Sequence, residues 1–343
     1  MERRPGGWWI RIPGVPRRWL VAVLVAGTVA CGGSSGTGAN PADQYLDEVL
    51  TLIEQNHIHR NEIDWADYRR QVRAAAAGAT ELADLDPALQ LAMDLLHDRH
   101  SFICRGQGPC LVQSAQGLGG WRGWSSPGAL PAGVAYVRVA GNFDSPLSRT
   151  QKADQLQAAV QAQDGPGLVG WIVDLRANGG GDMWPMLAGI GPVLGDGTAG
   201  SFIFPEGMTT PYLAPGATLA WSYSDGAAHM DGRPQVSVTV PYTLRAPAPR
   251  VAVLQDGGTG SSGEAIAISF IGRPGTRSFG AATYGVSSAN WTFSLTDGGG
   301  LFLLVGLDRD RNGTGTGPPT VVPSRRTSRR QALPRRSLLR SPG

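Results

Sequence analysis

The chain has 343 residues, enough for one large domain or two with a sizeable core, and it is rich in glycine (49) and poor in charged side chains (17%). Its formal charge of +3 comes from its ends: residues 1–31 carry five Arg against one Glu, residues 324–343 carry seven Arg and no acid, and the body between is acidic. A nucleic-acid partner needs a basic face on the folded part, so that class is excluded.

Residues 1–31 read as an export signal. Arginines precede an apolar run from Trp19 to Ala30 that is too short to span a bilayer and fits the apolar region of a signal peptide. The run ends in T-V-A-C, which resembles a bacterial lipobox. Cleavage then falls before Cys31 and the lipid goes onto that cysteine, although Thr28 stands where leucine is usual. A plain secretory signal or an uncleaved anchor is the alternative. Residues 32–40, GGSSGTGAN, form a flexible tether. The expected location is the cell envelope, lipid-anchored on the outer face of a membrane or periplasmic.

Residues 41–101 read as a helical domain. Asn40 and Pro41 open a helix whose apolar stripe runs through Tyr45, Val49, Leu52, Ile53 and later Ile58. WADYRRQVRAAAAGA follows. The stretch DPALQLAMDLLHDRHSFI then places Leu89, Met93 and Leu96 on one face and ends in His97, Asp98, Arg99, His100 and Ser101. Cys104 and Cys110 flank RGQGP, a loop that closes as a disulfide in an oxidising compartment or leaves two free thiols. With no C-x-x-C pair, a zinc site is not expected, and no other metal is.

From about residue 132 the pattern turns to strands. GVAYVRVAGNF, LVGWIVDLRANGGGDMWPML, PRVAVLQDGG and GGLFLLVGLD alternate with helical stretches, as in a layered α/β domain. The strand Trp171–Leu175 runs into Gly179, Gly180 and Gly181. Their bare N–H groups suit an anion or an oxyanion, and a plain tight turn is the other reading.

The stretch VAVLQDGGTGSSGEAIAISFIG carries Gly258, Gly260 and Gly263 as G-x-G-x-x-G between a strand and a helix, the dinucleotide fingerprint. That reading fails. A ribose-binding acid belongs about 20 residues on, and no Asp or Glu lies between Glu264 and Asp297. Lipase-elbow spacing and a Gly-Lys-Ser/Thr loop are absent as well. The arginine-rich end, 324–343, has no apolar period and reads as disordered.

Four stretches together change the reading: LLHDRHSF, GVAYVRV, VDLRANGGGDMW and VAVLQDGGTGSSGEAIAISFIGRPGTRSFGAATYG. In order and spacing they resemble the C-terminal processing (tail-specific) serine peptidase family, over roughly residues 42–312. The nearest branch is the histidine-using one related to the tricorn core protease and to retinoid-binding-protein repeats. The resemblance implies a crotonase/Clp-protease-like layered α/β catalytic domain at 102–323, preceded by the helical domain. No PDZ domain is expected, because the stretch from Ser101 to Gly133 is too short for one.

The resemblance also implies a nucleophile, Ser261, at the positive end of a helix, with Glu264 three residues on as support. The oxyanion donors would be the N–H of Ser262 and one from Gly180 or Gly181. Tail-specific relatives take their base from a lysine farther along. Here Val286 holds that place and no lysine follows Ser261. The base implied is therefore His100. An acid should orient it, yet no Asp or Glu follows Asp310, which leaves Asp98, Asp308 and Asp310. The function implied is an exported serine peptidase that hydrolyses peptide bonds through an acyl-enzyme on Ser261. Its partners would be a peptide or protein substrate and, through the lipid on Cys31, a membrane, with no cofactor. The alternative is a non-catalytic surface binding module on the same fold.

Overall fold

The computed structural model describes residues 40–114, 124–143, 145–206 and 216–315. The expected export signal with Cys31, the expected tether apart from Asn40, and the arginine-rich end lie outside the described residues.

Three helices open the fold: α1 (Pro41–Asn56), α2 (Trp65–Ala75) and α3 (Asp86–Leu96). The Asn40 carboxamide oxygen accepts the Ala42 N–H at 3.1 Å, and Pro41 presets the first turn. Tyr45, Leu46, Val49, Leu50 and Ile53 form the buried stripe of α1, with Leu52 at its margin. Leu89, Met93 and Leu96 do the same for α3. The chain then forms a hairpin of β1 (Phe102–Cys104) and β2 (Cys110–Val112), in which Cys104 and Cys110 face each other and are joined as a disulfide.

The rest alternates strand and helix before ending in strands. In order come β3 (Val134–Arg138), α4 (Arg149–Gln163), β4 (Gly170–Asp174), α5 (Met183–Leu194) and β5 (Gly197–Ile203). A meander of β6 (Thr218–Ser224), β7 (Ala227–Met230) and β8 (Arg233–Ser237) follows. The chain closes with β9 (Val251–Gln255), α6 (Ser262–Ser269), β10 (Thr276–Gly280), β11 (Ser288–Ser294) and β12 (Gly300–Asp310).

Two sheets result, and the fold is mixed α/β. One is parallel, in the order β3-β4-β9-β10. The other is antiparallel and is organised by β12, the longest strand. β11 pairs along one edge of it, while β1 and then β5 share the other. The β6–β8 meander extends this sheet from β5. Helix α5 is apolar nearly all round, buries every residue but Pro192, and packs on α4, α6 and the meander.

Two features of this plan position the site. Parallel strands β3, β4 and β9 end side by side, with Arg138 opposite Asp174 and Asp174 opposite Leu254, so the loops after them share one edge. Because β1 and β11 flank the same strand, the loop between α3 and β1 is brought to the start of β11.

Candidate active site

Strand β9 is followed by Asp256-Gly-Gly-Thr-Gly, and Ser261 is the residue before α6. Its backbone, at φ +51° and ψ −123°, is one that a residue with a β-carbon rarely adopts. Such a conformation costs roughly 1–3 kcal/mol and persists only where the surroundings enforce it. Here Glu264 enforces it, accepting the Ser261 N–H at 3.0 Å. Glu264 also accepts from the Thr283 hydroxyl (2.6 Å) and from the Gly285 and Val286 N–H groups (2.9 and 2.8 Å). Burial pushes its pKa up, and these hydrogen bonds oppose the shift. Val286, the position of the relatives' lysine, is buried with its backbone tied to Glu264.

His100 arrives from the other end of the fold. His97 (φ +53°) and Arg99 (φ +61°) turn the chain sharply out of α3. The His100 Nε2 then lies 3.0 Å from Ser261 Oγ, across 161 residues of sequence. Its carbonyl accepts from Asn290 Nδ2 at 2.8 Å. Burial among these neighbours holds its pKa down to about 4, and the charge of Asp98 opposes the shift only in part.

None of the three expected acids bonds to the ring. Asp98 accepts the N–H groups of His100 (2.7 Å) and Ser101 (2.8 Å), Gln113 Nε2 (2.5 Å) and the Ser101 hydroxyl. It also accepts from His57 Nε2 at 2.9 Å. Burial works against its charge, yet the hydrogen bonds from His57 and Ser101 hold its carboxyl well below the usual carboxylate range. Asp310 takes the N–H groups of Asn312 and Thr314 in the turn after β12. Asp308 is fully buried, and burial together with the nearby Glu264 charge raises its pKa well above the ordinary value. The ring's Nδ1 meets a hydroxyl instead, Ser288 Oγ at 2.7 Å.

The glycine loop completes the arrangement. Gly180 and Gly181 have φ of +107° and +114°. A β-carbon on Gly180 would sit 2.9 Å from the Ser261 β-carbon and 3.0 Å from the Ser262 nitrogen, so only glycine lets this loop lie against the serine. The loop is pinned there by Gly260 N–H to the Asn178 carbonyl (2.9 Å) and by the Ser262 hydroxyl to the Gly181 carbonyl (2.6 Å). Of the expected donors, the Gly180 N–H is engaged by Asn178 Oδ1 at 3.0 Å. The N–H groups of Gly181 and Ser262 have no acceptor among the described residues.

Sequence reasoning missed Ser288, Asn178 and His57. Ser288 sits two places after the lysine position in TYGVSSAN, and nothing local separates it from Ser287. His57 shows its role only through a contact 41 residues away. Among the described residues, no cluster of His, Cys, Asp and Glu is able to hold a metal, and no helix is long and apolar enough to cross a membrane.

A serine within hydrogen-bond reach of a histidine, at a strand-to-helix turn beside a glycine loop, is the arrangement of a serine-type peptidase. The sequence pattern of Peptidase family S41 matches residues 133–324, more than half of the chain, and the chain belongs to that family. The nisin-resistance protein of Lactococcus lactis subsp. lactis is 26% identical over 269 residues, 78% of each chain. Two solved structures share the fold. A lipoprotein from Streptococcus agalactiae has a TM-score of 0.62 at 20% identity, covering 87% of this chain and 93% of its own. The photosystem II D1 C-terminal processing protease has a TM-score of 0.50 at 15% identity, covering 82% and 92%.

Proposed function

We propose that this chain is an exported serine peptidase, held at the cell envelope by a lipid on Cys31, that cleaves peptide bonds through an acyl-enzyme on Ser261. The observation that carries the reading is the 3.0 Å contact between His100 Nε2 and Ser261 Oγ. A serine hydroxyl is a weak nucleophile unless a base takes its proton. Ser288 supports the required tautomer: its hydroxyl lies 3.5 Å from the Val286 carbonyl, an acceptor for its own proton. Its oxygen then accepts Nδ1–H, and the Nε2 lone pair faces Ser261.

The steps follow. Ser261 Oγ attacks the scissile carbonyl carbon as its proton passes to Nε2. The carbonyl oxygen becomes an anion and takes the N–H groups of Gly181 and Ser262, each such donor lowering the barrier by about 3 kcal/mol. The imidazolium returns its proton to the leaving amine. A water molecule, deprotonated by the same nitrogen, then hydrolyses the ester on Ser261. The closeness of the glycine loop to Ser261 depends on Gly180, whose β-carbon would meet that of Ser261 at 2.9 Å.

Fluorophosphonate labelling read by peptide mapping tests this. One adduct on Ser261, absent from Ser261→Ala and strongly slowed in His100→Ala, is expected. A folded protein that takes no label would point to the non-catalytic binding module. Nisin belongs among the peptides assayed for cleavage, since a relative is named for resistance to it.

A further inference from the structure

We propose that the cleft formed by the loops after β3 and β4 is a carboxylate-binding subsite, with Arg138 as the cation that reads the substrate; this rests on the peptidase reading of Ser261. The cleft encloses about 400 Å³ and is lined by Arg138, Gly141, Asn142, Phe143, Ala177 and Gly179. It abuts the glycine loop that lies on the nucleophile: a β-carbon on Gly141 would lie 3.1 Å from the Gly180 carbonyl, and Gly180 packs on Ser261. A peptide whose scissile carbonyl sits at Ser261 runs past the glycine loop into this space. Three parallel strands end at this edge. β9 leads to the nucleophile, β4 to the glycine loop, and β3 ends in Arg138 itself.

Arg138 is built to receive an anion. Its guanidinium carbon lies 4.2 Å from the centre of the Trp124 ring. Stacking of this kind fixes the guanidinium plane. The Arg138 Nε is buried and has no acceptor among the described residues. Its cross-strand neighbour, the acid Asp174, is already taken by Arg176 (2.6 Å), Tyr136 (2.7 Å) and Trp124 (3.1 Å). A half-buried cation with no counter-charge among the described residues, lining a cleft beside Ser261, favours a group that brings the charge and accepts two parallel hydrogen bonds. A carboxylate does both. The exposed Phe143 ring adds an apolar wall for the rest of that residue. The carboxylate belongs either to an Asp or Glu side chain or to the C-terminus of the peptide.

The experiment measures binding, so it does not depend on turnover. Ser261→Ala protein is titrated against fluorescein-labelled hexa-alanine peptides by anisotropy. One peptide ends in a free acid, one in an amide, and an amidated set carries a single Asp at each position in turn. A carboxylate peptide should bind about tenfold more tightly than the neutral amide. The free-acid arm identifies the C-terminus as the source, and the Asp arm identifies a side chain. The preference should vanish in Ser261→Ala/Arg138→Gln and return in part in Ser261→Ala/Arg138→Lys. Equal binding of acid and amide, no binding of any peptide, or a preference that survives Arg138→Gln overturns the proposal. The acid-to-amide comparison with Arg138 in place decides even where the glutamine variant does not fold. Failure of the peptidase reading is seen separately, as absence of a fluorophosphonate adduct on Ser261 in the unaltered protein.

Discussion

Two histidines on the helical side of the molecule meet opposite fates. His57 is fully buried and has a carboxylate: its Nδ1 accepts the His59 N–H at 3.2 Å and its Nε2 donates to Asp98 at 2.9 Å. His100, two residues from that carboxylate, faces Ser261, the proposed nucleophile, and has only a hydroxyl on its far nitrogen. The acid–histidine pair familiar from triads is therefore present, but it fastens the loop that carries His100, the proposed base. Asp98 grips the backbone of residues 100 and 101 while His57 anchors it from α1's end. The lesson is that an acid near a base in sequence can act on the base's backbone rather than its ring.

The sharpest way to break this comparison is to remove each histidine in turn. His100→Ala should lower kcat by a factor on the order of 10⁶, the scale seen when a hydrolase loses its base, with the melting temperature nearly unchanged. His57→Ala should do the reverse. It leaves a buried carboxylate short of a donor, which costs about 3 kcal/mol of stability, while Ser261 still labels. Thermal melts run beside fluorophosphonate labelling measure both. If His57→Ala abolishes labelling without destabilising the fold, the division of roles drawn here is wrong.

A smaller effect is expected at the glycine loop. Gly180→Ala puts a β-carbon 2.9 Å from that of Ser261 and asks alanine to hold φ +107°. The loop must withdraw, carrying the Gly181 N–H away from where the oxyanion forms. The expected loss in kcat is about a hundredfold, the scale of losing one donor. A peptide-hydrolysis assay with KM measured separately checks it. A change in KM alone would mean the loop binds substrate without stabilising the oxyanion.

The parts of this molecule that the sequence discloses are those with local causes. The stripes of α1 and α3 follow from spacing, and β3, β4, β9 and β12 from apolar runs. The β6–β8 meander is different. Arg-Pro-Gln-Val-Ser and Ala-Ala-His-Met show no strand alternation, and they extend because neighbouring strands supply the hydrogen bonds. Phe202 and Trp221, whose rings pack at 4.5 Å, seat the first of these pairings, again a long-range cause. At the site, Ser261, Glu264, His100 and the glycines were legible through a family pattern. Ser288 was not, because a hydroxyl that replaces an acid leaves no charge to notice.

Ser288 sets the finest test. Ser288→Ala removes one neutral hydrogen bond from the ring and should lower kcat about tenfold. The pH profile says more. As the proposed base, His100 would work only when neutral, so activity should fall as pH drops through its pKa. With that pKa held at about 4, below the ordinary 6.5, the acid limb should appear near pH 4 and the rate should stay level up to neutrality. Ser288→Asp places a carboxylate where the hydroxyl was. It favours the imidazolium, so the acid limb must move up in pH, and the transition state, which contains that imidazolium, must fall in energy. A rise in kcat at pH 7 together with an upward shift of the limb identifies residue 288 as the group that tunes this base. A limb that stays put while kcat falls would reduce Ser288 to a packing contact, and would leave His100 to be oriented by its backbone alone.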